Sequence, residues 1–129
     1  MKVKIDTKDK FHVLKLEEPI LSANIAAALT TLCTQYLQQT IKNIVLDFSV
    51  IDSIENELAA EKLVELQQNF YENNASFVIC NIKPEIENQL EAMELLEVMN
   101  TTPTESEAWD IVQMEEIERE LMDDEGDEL

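Results

Sequence analysis

Between Asn43 and Phe70 the pattern of apolar and polar positions changes twice. Ile44-Val45-Leu46, continued through Asp47 to Phe48, is an apolar run of the kind found in a strand covered on both faces. Ser49 to Glu57 is polar and rich in Asp, Ser, Glu and Asn. Ala59, Leu63, Leu66 and Phe70 then recur at i, i+4, i+7 and i+11, which is one stripe of an amphipathic helix. The predicted unit is a central strand, a polar hinge and a helix whose first turn carries free N–H groups. In α/β proteins such a strand-to-helix junction is where a recognition or chemical site is displayed.

The rest of the chain falls into place around this unit. Lys2–Asp6 and Phe11–Leu16 flank the polar Thr7-Lys8-Asp9-Lys10 and predict a β-hairpin. After Pro19, Ser22 is the expected N-cap of a helix striped by Ile25, Leu29, Leu32, Cys33, Tyr36 and Leu37. Asn73-Asn74 predicts the stop of the helix that carries Phe70, because Asn tolerates the left-handed conformation. Ser76–Ile82 is a second buried strand, and Pro84 opens a helix on Ile86, Leu90 and Met93. Glu97-Val98-Met99 is expected to form a short last strand. Thr104 with Glu107 makes a capping box for a final helix, with Ala108, Ile111, Met114, Ile117 and Leu121 on one side. The order β-β-α-β-α-β-α-(β)-α predicts an α/β fold, a mixed, partly parallel sheet of four to five strands flanked by helices.

Charge narrows the function. The formal net charge is −19, with nine Lys and Arg, too few to neutralise phosphates on nucleic acid or an anionic membrane. Net −11 lies from Glu105 onward, so a solvating, partly disordered acidic tail is expected there. Five bases (Lys2, Lys4, Lys8, Lys10, Lys15) sit on the hairpin, where edge lysines discourage strand pairing. Cys33 and Cys80 lie in apolar patterns, and with the single His12 they offer no metal-ligand spacing. They are expected to be buried, reduced thiols of a cytoplasmic protein. No apolar run approaches a membrane span, and the N-terminal stretch lacks a signal-peptide core.

Catalysis finds no support in the residues. One Gly, at position 126, excludes a G-x-x-x-x-G-K phosphate loop. The carboxylates cluster on predicted solvated faces rather than as a pair in unlike environments. His12 in a strand has no nucleophile pattern beside it.

The element order, with the segment Leu46-Asp47-Phe48-Ser49 through Ile54-Glu55-Asn56-Glu57-Leu58, resembles the STAS domain family. That family includes bacterial anti-sigma factor antagonists and the cytoplasmic ends of sulphate transporters. Its pattern runs roughly L-D-L-S-G-V-x-x-I-D-S-S-G-L, then a helix and a Gly pair before the next strand. Without gaps, Leu46–Ser49 falls on L-D-L-S, Ile54–Leu58 on I-D-S-S-G, Asn73-Asn74 on the Gly pair and Phe77–Cys80 on the strand. The resemblance covers residues 1–112 as a STAS-like domain and leaves 113–129 as an acidic helical extension and tail.

The resemblance implies a non-enzymatic signalling protein without cofactor, a monomer whose partner is a protein such as an anti-sigma factor or a switch kinase. It implies binding through the hinge and helix start, at Ser53, Glu55, Asn56, Glu57 and Glu61. Antagonists of this family are phosphorylated on the second Ser of D-S-S-G, which cuts partner binding. Here Glu57 stands at that position and Asn56 before it; a gapped alignment would instead put Asp52-Ser53 on the D-S pair and Ile54 at the acceptor. Either way the phosphorylatable Ser is missing. The alternative is a stand-alone partner-binding module that acts through its acidic C-terminal helix, unrelated to sigma factors.

Overall fold

The computed structural model describes residues 1–127. A five-stranded sheet has the order β1-β2-β4-β6-β7, from Val3–Thr7, Phe11–Leu16, Asn43–Asp47, Phe77–Cys80 and Thr101–Thr102. The hairpin pair β1–β2 is antiparallel, and every other neighbour in this sheet is parallel. β4 is central and buried along its whole length, as its unbroken apolar run requires.

From β2 onward each parallel strand is added on the same side of the last. Right-handed crossovers then put all connecting helices on one face. These are α1 (Ala23–Tyr36), α2 (Glu57–Glu72) and α3 (Pro84–Ala92). They bury the main core, in which Leu14, Leu46, Phe48, Leu63, Phe70 and Phe77 are among the largest side chains. The other face belongs to α4 (Glu105–Asp127), which covers a smaller core of Phe11, Val13, Val45, Val78 and Cys80 with its Ala108 and Val112.

Local chemistry sets the element ends. The Ser22 hydroxyl accepts from the Ile25 N–H at 3.1 Å and opens α1. At the end of α2, Asn74 is left-handed at φ 59°. The Ala75 N–H returns to the Phe70 carbonyl at 2.9 Å and the Asn74 N–H to that of Tyr71 at 3.2 Å, with Phe70 and Ala75 both buried. This is a Schellman stop closed by its hydrophobic contact. α3 ends the same way with Glu94 at φ 61°, a conformation that costs a residue with a Cβ about 1–2 kcal/mol.

Three expectations need correction. The short last strand is not at Glu97–Met99: Leu96–Val98 is a 3₁₀ turn, and the pairing with β6 is made by Thr101–Thr102. A two-residue edge strand needs no apolar run, so hydropathy pointed to the wrong residues. The acidic end is helical from Glu105 to Asp127 rather than disordered; for its last two residues the expectation falls outside the described residues. The apolar positions of that helix also do not share one side. Ala108 and Val112 are buried and Ile111 is half-buried, while Met114, Ile117 and Leu121 are exposed.

His12 is packed rather than poised for chemistry. It stacks on Tyr36 with ring centroids 4.2 Å apart, and its ring nitrogens engage Thr7 Oγ1 at 2.9 Å and the Ile41 carbonyl at 3.0 Å. Both cysteines are free and buried. Burial pushes each thiol up to about 12, helped at Cys80 by the nearby carboxylates of Asp47 and Glu105. They stay protonated and unreactive in the native fold.

Candidate partner-binding site

The hinge between β4 and α2 emerges at the C-terminal edge of the parallel strands. Its entry is pinned by Asp47, whose Oδ1 accepts from the Ser49 N–H at 2.8 Å and from Asn81 Nδ2 at 3.2 Å. Phe48 and Ile51 then drop into the main core. The hinge carries a strand of its own, β5 (Ser53–Ile54), paired in parallel with β3 (Ile20–Leu21). The N–H groups of Asp52 and Ser53 donate to the Pro19 carbonyl at 2.7 and 3.2 Å, and that of Glu55 to the Leu21 carbonyl at 2.9 Å.

From the other side Gln89 of α3 acts as a side-chain strand. Its Oε1 accepts from the Ile54 N–H at 2.9 Å, and its Nε2 donates to the Ile54 carbonyl at 3.3 Å. An ion pair between Asp52 and Lys83 spans the same gap. The hinge is therefore fixed along its backbone, with Ile51 and Ile54 buried and Asp52, Glu55, Asn56 and Glu57 exposed. Gln89→Ala is expected to cost about 1–2 kcal/mol, through the Ile54 backbone groups left unmet. Hydrogen exchange at residues 53–55 should speed up while exchange in β4 and β6 stays unchanged.

Each expected site residue has a defined place. Ser53 is half-buried in β5; Glu55, Asn56, Glu57 and Glu61 are exposed. Asn56 caps α2, its Oδ1 accepting from the Ala59 N–H at 3.0 Å. Glu57 is the first helical residue and Glu61 lies one turn on. Among the described residues no cation pairs with Glu55, Glu57 or Glu61.

Sequence reasoning missed two apolar members of this surface. Leu58 is 53% exposed, and Ile20, on the strand beside Ser53, is 48% exposed. The Pro19-Ile20-Leu21 step after the hairpin was the available signal for a second strand pair. The hinge surface is acidic and edged by the exposed apolar Leu58 and Ile20, a composition suited to another macromolecule. A cavity of about 520 Å³ lies instead at the opposite end of the sheet, lined by residues that include Lys10, Lys42, Asn43, Glu116 and Arg119.

Residues 2–108 match the family model of the STAS domain. The chain belongs to this family. Solved structures agree on the STAS fold. An anti-sigma factor antagonist from Mycobacterium paratuberculosis superposes with a TM-score of 0.71 at 14% identity, covering 87% of this chain and 93% of that one. RsbS from Moorella thermoacetica, in a form with a Ser-to-Glu substitution, gives 0.70 at 23% identity over 88% and 96%. The Bacillus cell fate determinant SpoIIAA in its phosphorylated form gives 0.61 at 14% over 86% and 99%. No curated protein sequence matches this STAS domain. Among its described residues no helix is long and apolar enough to cross a membrane.

Proposed function

We propose that this STAS domain is a non-enzymatic interaction module of the anti-sigma factor antagonist type. It binds a protein partner, an anti-sigma factor or a switch kinase, through Ser53, Glu55, Asn56, Glu57 and Glu61. Its binding is not switched by phosphorylation of the hinge. The observation that carries the reading is a hinge fixed by β3 and Gln89 at which Glu55, Glu57 and Glu61 pair with no cation among the described residues and Ile20 and Leu58 are exposed. A backbone already fixed in this way lowers the ordering cost of binding.

The ungapped alignment is favoured by burial. Ile54, the acceptor in the gapped version, is 4% exposed and clamped by Gln89, out of reach of a kinase. Glu57, the acceptor position in the ungapped version, stands free at the first turn of α2. A carboxylate there is compatible with the positive end of the helix dipole. Glu61 lies a full turn later, also exposed. The face thus presents fixed negative charge and calls for a partner surface rich in Lys or Arg, with association that weakens as salt rises.

The test uses the immobilised protein and its Glu57→Gln and Glu57→Lys variants to capture partners from native extract, with identification by mass. A partner retained by the Gln variant and captured about tenfold less by the Lys variant, a difference of about 1.4 kcal/mol, supports the reading. Equal capture by the Lys variant at low ionic strength removes the hinge as the docking face. Stoichiometric phosphate on Ser53 from native cells would overturn the claim of phosphorylation-independence.

A further inference from the structure

α4 has two sides of different character, and the domain packs against one of them. At about 100° per residue, Ala108, Val112, Glu116 and Arg119 share the side that faces the sheet. The first two are buried in the smaller core. Glu116 accepts from Asn43 Nδ2 at 2.7 Å, and Arg119 donates to Ser76 Oγ at 3.3 Å, so the helix is anchored as far as the sheet's lower edge. Met114, Ile117 and Leu121 lie within about 60° of one another on the opposite side. They are 58%, 56% and 58% exposed.

Their spacing of three and four is that of heptad positions a, d and a. In the same frame Glu118 and Glu120 occupy e and g, the positions that choose a partner helix by charge. The preceding a and d are Glu107 and Asp110, which end the apolar seam above Met114. The fold does not require these three apolar side chains, since neither core draws on them.

We propose that this seam pairs with a basic amphipathic helix of a protein partner, apolar at its own a and d and bearing Lys or Arg at e and g. Charge selects this occupant over a second copy of the chain. Two copies would bring a net −11 from Glu105 onward against itself, with Glu facing Glu across the seam. A basic helix converts the same residues into attraction. The seam is short, so binding is modest in strength and strongly salt-dependent. This surface lies on the face of the sheet opposite α2, and so is independent of the hinge.

The test titrates the full chain in a calorimeter with a synthetic heptad peptide carrying Leu at a and d and Lys at e and g. Binding is expected at low salt, reduced about tenfold or more in the Ile117→Ser/Leu121→Ser variant and unchanged in Glu57→Lys. Both Ser positions are exposed, so an unaltered melting temperature is expected alongside. A Glu118→Lys/Glu120→Lys variant should lose the Lys peptide and gain its Glu counterpart. Failure to bind, equal binding of a Lys peptide with Gln at a and d, or indifference to the Ser substitutions would overturn the proposal. So would sedimentation of the protein alone as a dimer that the Ser variant dissociates, because the occupant would then be a second copy.

Discussion

Phe70→Ala is expected to destabilise the domain by about 3–5 kcal/mol, the usual cost of emptying a fully buried aromatic site. At about 4 °C per kcal/mol for a domain of this size, the melting temperature should fall by about 12–20 °C. Phe70 is wholly buried where three features meet. It is the last stripe residue of α2, its carbonyl receives the Ala75 N–H that closes the helix, and its ring packs on Phe77 of β6 with centroids 5.5 Å apart. The substitution thus opens a cavity under the first residue of β6 and loosens the turn that delivers that strand. Phe70→Leu, which keeps most of the volume, should cost much less. A loss below about 1 kcal/mol for the Ala variant, measured by denaturant titration, would mean that the core collapses around the gap.

Asn43→Leu is expected to cost about 2–4 kcal/mol, through buried groups left without partners rather than through lost packing. Asn43 opens the central strand, and its side chain joins three other segments. Nδ2 donates to the Lys10 carbonyl at 2.9 Å and to Glu116 Oε1 at 2.7 Å, and Oδ1 accepts from the Ser76 N–H at 2.8 Å. Leu fills a similar volume but satisfies none of these, and the buried Ser76 N–H has nowhere else to turn. Glu116 is half-buried and keeps Lys10 at 3.5 Å, so it is the least affected of the three. The outcome to measure is a melting temperature lower by about 8–16 °C, with faster hydrogen exchange at Ser76 and Phe77 than in β2. An unchanged melting temperature would show that this junction contributes no net stability.

These two residues mark the division between what is local in the chain and what is not. Phe70 could be placed from the sequence because a helical stripe repeats one relation, burial on one side, at every third or fourth position. β4, α1, α2 and α3 were legible for the same reason, and the caps at Ser22 and Asn73-Asn74 because capping depends on side chains within a few residues. The parallel arrangement followed from the alternation of strands and helices. Within the candidate site, the cap by Asn56 and the exposure of Glu55, Glu57 and Glu61 are also local properties of a helix start.

The tertiary structure decided whatever depends on residues far apart in sequence. Asn43 is a polar residue before an apolar run, and only the fold brings Lys10, Ser76 and Glu116 around it. Gln89 reads as a polar helix residue until β5 lies beside it and takes both of its hydrogen bonds. Ile20 and Leu58 look like core candidates, yet lie on the hinge surface because β3 and β5 pair at the sheet's rim. In α4 the repeat of apolar positions promised one buried side, but the sheet meets only the side that carries Ala108 and Val112. Beyond Val112 polar contacts from Glu116 and Arg119 hold the helix. Met114, Ile117 and Leu121 are left facing water because they lie on the side of the helix turned away from the sheet.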